Sequence, residues 1–243
     1  MPVFFFPQLT SQDETVTLTD SGECHHACDV LRLAKNSAVG LLNGTGLTAE
    51  GVLTECSRNK VVIRVRKTEH KPPLQPSLHL YCAVPKRDRW EWILEKGTEI
   101  GVTSITPLVT QNSDVLWKKE DWSKKLKRQR NILISSAKQC GSPYLPTLKE
   151  PVTFQNYFAQ KKDKEDILMP GLIEAAQPLR EACLQKKSAG QLDILIGPEG
   201  DFSREEYAEA TRSKVTMVTL GPQVLRVETA AIAAASFIRQ YFL

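Results

Sequence analysis

Apolar and polar residues alternate with a two-residue period through much of the first 70 positions. In Lys60–Arg66, Val61, Ile63 and Val65 fall on one side and Val62, Arg64 and Arg66 on the other, the mark of a strand with one buried face. Gly51–Cys56 reads as another strand. Gly40-Leu41-Leu42 runs into Asn43-Gly44, a dipeptide suited to the positive φ angles of a hairpin turn. The Phe4-Phe5-Phe6 run in Met1–Leu9 lacks a basic residue before it and is cut by Pro7, so it predicts a first strand and not a secretion signal. Cys28, Leu31 and Arg32 lie one turn from residues before them, predicting a short helix over about 25–33. A small β-barrel with one inserted helix is expected. Pro72, Pro73 and Pro76 then make a stiff, non-helical connector, which sets a boundary between domains 1–73 and 74–243.

Beyond the connector the period changes. Short apolar runs at 78–84, 102–109, 166–169, 192–196 and 215–220 read as buried strands, separated by patterns of helical spacing. One helix is expected over 88–100, with Trp90, Ile93 and Leu94 inward and Gly101 as its terminator. A basic helix should run from about Ser123 to Cys140, closed by Gly141. Ser203-Arg204-Glu205-Glu206 has the form of a capping box, and an Ala-rich, largely buried helix fills 229–243. Alternating strands and helices imply a parallel α/β sheet. Ligands of such sheets sit beyond the carboxyl ends of the strands.

Two of those ends carry glycine-proline loops. The first is Ile196-Gly197-Pro198-Glu199-Gly200-Asp201-Phe202-Ser203, and the second is Leu220-Gly221-Pro222-Gln223-Val224-Leu225-Arg226-Val227-Glu228-Thr229-Ala230. Glycine leaves the backbone open to a close ligand, while proline fixes the turn and ends the strand. Neither G-x-G-x-x-G nor G-x-x-x-x-G-K-[ST] occurs, so a phosphate cradle is disfavoured. A third loop, Met169-Pro170-Gly171, ends another strand.

These loops resemble the GPEGGFS and LGPxILRxETA motifs of the RsmE-type uridine-N3 methyltransferases of the SPOUT superfamily. The resemblance implies a C-terminal α/β trefoil knot binding S-adenosylmethionine, a small N-terminal PUA-like β-barrel, and methylation of 16S ribosomal RNA in the small subunit by a homodimer. Carried over by position, it implies cofactor contacts at Leu168, Ile196, Gly197, Pro198, Glu199, Gly200, Leu220, Gly221, Leu225 and Ala230. Arg226 is the expected catalytic residue: as uridine N3 loses its proton, negative charge spreads to O2 and O4, and a guanidinium stabilises it. Glu228 either takes that proton or holds Arg226 in place, the second being preferred; helix capping is the alternative for an acid in a first turn. Arg32, Lys86, Arg87 and Lys96 match basic family positions that would meet RNA phosphates. The chain departs from the family pattern at Asp201 (commonly Gly), Gln111-Asn112 (Glu-Arg), Lys138 (Glu) and Ser142 (Arg), and lacks an early arginine.

Composition narrows this little. Net charge is +4, with 41% hydrophobic and 25% charged residues, as in ordinary soluble domains. From Lys86 to Arg130 there are 11 Lys/Arg against 7 Asp/Glu, whereas the first 75 residues hold 8 of each, so the middle of the chain suits a polyanion or simply a solvated helix face. No apolar stretch is long enough for a membrane span. The six cysteines are expected as reduced thiols of a cytoplasmic protein. Cys24-His25-His26-Ala27-Cys28 lacks the second ligand pair of a closed zinc site, so no metal is expected. An RNA-binding assembly factor without catalysis, or a SPOUT ribose 2′-O-methyltransferase, are the competing readings.

Overall fold

The computed structural model describes residues 1–86, 89–114, 119–161, 166–186 and 188–243. Its contacts group Met1–Pro73 with Ile134–Leu145 in one unit, and Leu74–Leu133 with Pro146–Leu243 in another.

The first unit contains β1 (Val3–Phe5), β2 (Thr15–Leu18), α1 (Ser21–His25) continuing as a π-helical turn over His26–Val30, β3 (Ala38–Leu42), β4 (Leu47–Ser57) and β5 (Lys60–His70). The strands pair in the order β1-β3-β4-β5-β2, a sheet curled into a half-barrel with β1 and β2 at its edges. Val61 and Ile63 join Phe4, Leu41 and Leu53 in the core, while Arg64 and Arg66 face solvent, as the alternation predicts. The Asn43-Gly44 hairpin forms. Asn43 Oδ1 accepts from the amides of Thr45 (2.8 Å) and Leu47 (3.1 Å), and Gly44 sits at φ +80°.

Two expectations are corrected here. The helix starts at Ser21, four residues earlier than expected, because Asp20 caps it by accepting from the Glu23 amide (3.0 Å). It then widens, Leu31 N–H donating to His26 O (2.9 Å), and stops where Arg32 takes φ +49°. Second, Cys28 and Cys56 are joined in a disulfide, with Cα atoms 6.2 Å apart; Cys24, Cys82, Cys140 and Cys183 are free thiols. Chain reversal brings that pair together, and sequence spacing gives no sign of it. Lys138 pairs with Glu23 (2.7 Å) over the face of Phe4, so the basic residue at a commonly acidic position has a structural partner.

The second unit runs β6 (Ser77–Ala83), α2 (Arg89–Ile100), β7 (Ser104–Val109), α3 (Lys119–Cys140, its last turns in the first unit), β8 (Thr147–Leu148), β9 (Val152–Thr153), α4 (Phe154–Gln160), β10 (Ile167–Pro170), β11 (Gln177–Pro178), α5 (Leu179–Gln185), β12 (Gln191–Ile196), α6 (Arg204–Arg212), β13 (Thr216–Thr219) and α7 (Val227–Phe242). Its sheet is parallel throughout, ordered β11-β13-β10-β12-β6-β7-β8, with β9 also on β7. Burial on both faces explains the apolar runs over 167–169 in β10 and 194–196 in β12.

Helix α2 buries Trp90, Ile93, Leu94, Gly97 and Thr98, one face at helical spacing. It ends at Gly101 (φ +81°), where Val102 N–H donates back to Gly97 O (2.9 Å). The capping box at Ser203 and Glu206 forms on α6. Helix α7 packs on α2, β6 and β12, whereas β13 lies beyond β10. The link over 220–226 therefore passes back across the carboxyl end of β10. This is the α/β fold class the resemblance implies.

Candidate active site

That return path creates a cleft. β10 ends at Pro170, β12 at Ile196 and β13 at Thr219, and the loops leaving all three line one open cleft. A concave site beyond the carboxyl ends of parallel strands is where small-molecule ligands of such sheets bind. Of the residues expected to touch a cofactor, Ile196, Gly197, Pro198, Glu199, Leu220, Gly221, Leu225 and Ala230 form its wall. Leu168 is fully buried within β10, and Gly200 lies outside the wall, its carbonyl accepting from the Asn112 amide (3.2 Å).

Two glycines have specific steric reasons. A Cβ on Gly197 would stand 2.9 Å from the Phe202 ring, and one on Gly171 would overlap the Tyr207 phenol. Gly221 has open space around it but sits at φ +131°, where its amide donates to Thr219 Oγ1 (3.3 Å).

Asp201 explains its own departure from glycine. Its backbone is left-handed (φ +59°), a conformation Asp tolerates better than most residues. Its carboxylate accepts from Phe202 N–H (2.8 Å) and from the Tyr207 hydroxyl (2.8 and 3.0 Å). Burial, with the Asp201 carboxylate beside it, pushes the Tyr207 phenol well above its ordinary range. Asn112, at the other departure, donates to the carbonyls of Gly200 and Asp201 (3.2 and 3.0 Å), and Gln111 N–H donates to buried Glu206 (2.9 Å). These polar residues tie the loop after β7 to the loop after β12.

Arg89, at the start of α2, was not among the expected site residues. Its guanidinium lies 3.5 Å from Glu228 Oε1 and 3.9 Å from Glu199 Oε1, joining three elements beside the cleft. The signal was present: it follows the Pro85-Lys86 turn at the carboxyl end of β6, the same sheet edge as the glycine loops. The preferred role of Glu228 is thereby corrected. Among the described residues its ion-pair partner is Arg89, not Arg226, and its Oε2 is buried with no hydrogen-bond partner. Arg226 supplies the N-cap of α7 through its backbone, is exposed, and has no ion pair among the described residues. Beneath the site, burial and the charges of Glu199 and Glu228 push the Cys82 thiol far up, so it stays protonated.

The expected RNA contacts fall in both units. Arg32 is exposed in the first unit. Lys86 pairs with Asp114 (2.6 Å), and Lys96 with Glu95 and Glu99 (2.8 and 2.9 Å), bonds that raise both ammonium groups above their ordinary range. Arg87 lies outside the described residues. His25 pairs with Asp29 (2.9 Å), and among the described residues no three His, Cys, Asp or Glu are grouped to hold a metal ion. No helix of the described residues is long and apolar enough to cross a membrane.

Among the described residues the wall combines apolar side chains, Thr219, Gln223 and main-chain groups with two acids, Glu199 and Asp201, and no basic residue. Such a lining favours a ligand that carries positive charge over a phosphate.

A family model described as an RNA methyltransferase domain matches residues 72–239, and one described as an RNA methyltransferase PUA domain matches 18–66. The chain is 29% identical to ribosomal RNA small subunit methyltransferase E of Bacillus subtilis, over 96% of this chain and 94% of that protein. Among solved structures it is similar to a Legionella pneumophila methyltransferase in complex with the cofactor SAM (TM-score 0.86, 28% identity, covering 98% of this chain and 96% of that one). It is equally similar to ribosomal RNA small subunit methyltransferase E of Neisseria gonorrhoeae bound to S-adenosylmethionine (TM-score 0.86, 25% identity, 99% and 97% covered).

Proposed function

Because the chain belongs to the RNA methyltransferase family whose domain model covers residues 72–239, we propose that it methylates N3 of a uridine in 16S ribosomal RNA, using S-adenosylmethionine. The observation that carries this reading is the convergence of three strand-end loops on one cleft of main chain, apolar side chains and acids. When bound, the cofactor supplies an electrophilic methyl group on a sulfonium.

The residues of the chain do the rest. Leu220, Leu225 and Ile196 exclude water, and main-chain groups of 196–199 and 220–225 orient the adenosine. Arg226 lies between two wall residues, Leu225 and Val227, with its guanidinium uncommitted to an acid. It stabilises the charge that develops on uracil O2 and O4. Glu228, with one oxygen held by Arg89 and the other lacking a donor, accepts the N3 proton. Nitrogen then bonds to the methyl carbon as the carbon–sulfur bond breaks, leaving a neutral thioether.

Residues 1–73 serve as the RNA-binding PUA-like domain and 74–243 as the methyltransferase domain, with Arg32, Lys86, Arg87 and Lys96 toward phosphates. The protein acts in the cytoplasm as a homodimer. Exposed Phe237, stacked on Tyr241 along the outer side of α7, supports a face that a second copy covers. The test is nucleoside mass spectrometry of 16S RNA after purified protein acts on small subunits from cells lacking the gene. 3-methyluridine is expected. A ribose methyl would favour 2′-O-transfer, and cofactor binding without methyl incorporation would favour an inactive assembly factor; either overturns the proposal.

A further inference from the structure

We propose that Asp201 makes the cleft charge-selective, favouring the sulfonium donor over its neutral thioether product. The inference rests on the cleft being the S-adenosylmethionine site.

The two charged residues of the wall are both acids, and they differ in their surroundings. Glu199 faces the Arg89 guanidinium at 3.9 Å, a cation it shares with Glu228 at 3.5 Å. Asp201 accepts only from neutral donors, Phe202 N–H and the Tyr207 hydroxyl, and has no ion pair among the described residues. Of the wall's two acids, Asp201 is thus the one with no cation paired to it among the described residues.

That charge is also held in place. The left-handed backbone at φ +59°, the Asn112 amide on the Asp201 carbonyl (3.0 Å) and the Tyr207 hydroxyl shared between both carboxylate oxygens fix the carboxylate against the loop. Where the resembling family commonly has glycine, this chain builds an oriented anion into the wall.

Donor and product share their adenosine and amino-acid groups. They differ by the methyl and by one positive charge on sulfur. A fixed carboxylate in the wall therefore discriminates between them through Coulomb attraction, worth about fivefold in relative affinity for an attraction of about 1 kcal/mol, the size expected of solvent-screened charges. Weak inhibition by accumulated product is the functional consequence.

Isothermal titration calorimetry of the full chain with S-adenosylmethionine and S-adenosylhomocysteine tests this. In Asp201→Asn, which keeps shape and removes charge, donor affinity should drop about fivefold while product affinity holds. Asp201→Gly, whose backbone accepts positive φ freely, carries the same expectation should the Asn variant not fold. An unchanged ratio of the two affinities in a folded variant overturns the inference alone. A wild-type protein that binds neither ligand overturns the reading of the cleft, and the inference with it.

Discussion

Replacing Gly197 by alanine probes how tightly the β12 loop is set. The new methyl carbon would lie 2.9 and 3.0 Å from two carbons of the Phe202 ring, well inside van der Waals contact. The ring cannot retreat freely: it is 5% exposed and packs on Phe154 and Tyr207, with centroids at 5.7 and 5.8 Å. No backbone strain enters, since Gly197 is not among the residues with positive φ. Overpacking of this kind costs about 1–3 kcal/mol. At roughly 2–4 °C per kcal/mol for a domain of this size, the melting temperature should fall by about 2–12 °C. Differential scanning calorimetry reads the fall, and calorimetric titration should show weaker donor binding, because the strained loop forms the cleft wall. Adding Phe202→Leu should recover part of the loss, so that the double variant is more stable than the sum of the single changes predicts. A single variant with unchanged melting and binding, or strictly additive losses in the pair, would refute the packing argument.

Arg226→Ala should lower turnover by about 10²–10³-fold and leave donor affinity within about threefold; a smaller loss of turnover removes Arg226 from the chemistry. Arg89→Ala strands Glu228 in the fold without its partner, so the chemical denaturation midpoint and turnover should both drop, and an unaffected midpoint would show that the pair contributes nothing. Alkylation of the denatured, unreduced chain followed by mass spectrometry should find four modified cysteines, and six would refute the Cys28–Cys56 bond. Burial raises the Tyr81 phenol to about 12 and the Cys183 thiol to about 11, from ordinary values of 10.0 and 9.0. Above about pH 9 the unfolded chain releases these protons and the folded chain retains them. Stability is therefore complete below that pH and declines from there toward pH 12, which urea midpoints at pH 7.5 and 10 would register as a drop.

The sequence alone determined the elements whose cause is local. Alternation in Lys60–Arg66 specified a half-buried strand, the capping box at Ser203 specified a helix start, and Gly101 specified a helix end, because each depends on neighbours within a few residues. The glycine-proline loops marked the cleft for a related reason: a backbone that approaches a ligand closely must dispense with side chains. The Asp20 cap could also have been read, since Glu23 follows it at the proper spacing. Tertiary structure decided what depends on long-range proximity. Cys28 meets Cys56 only after the first sheet curls, and Asn112 reaches Asp201 only because β6 and β7 sit in one sheet with β12. Glu228 finds Arg89 instead of Arg226 because α7 returns over β6 to lie against α2, so a residue two positions away along the chain is farther from its carboxylate than one more than a hundred positions before it. Periodicity records which face of an element is buried, but carries no record of which distant charge that face will meet.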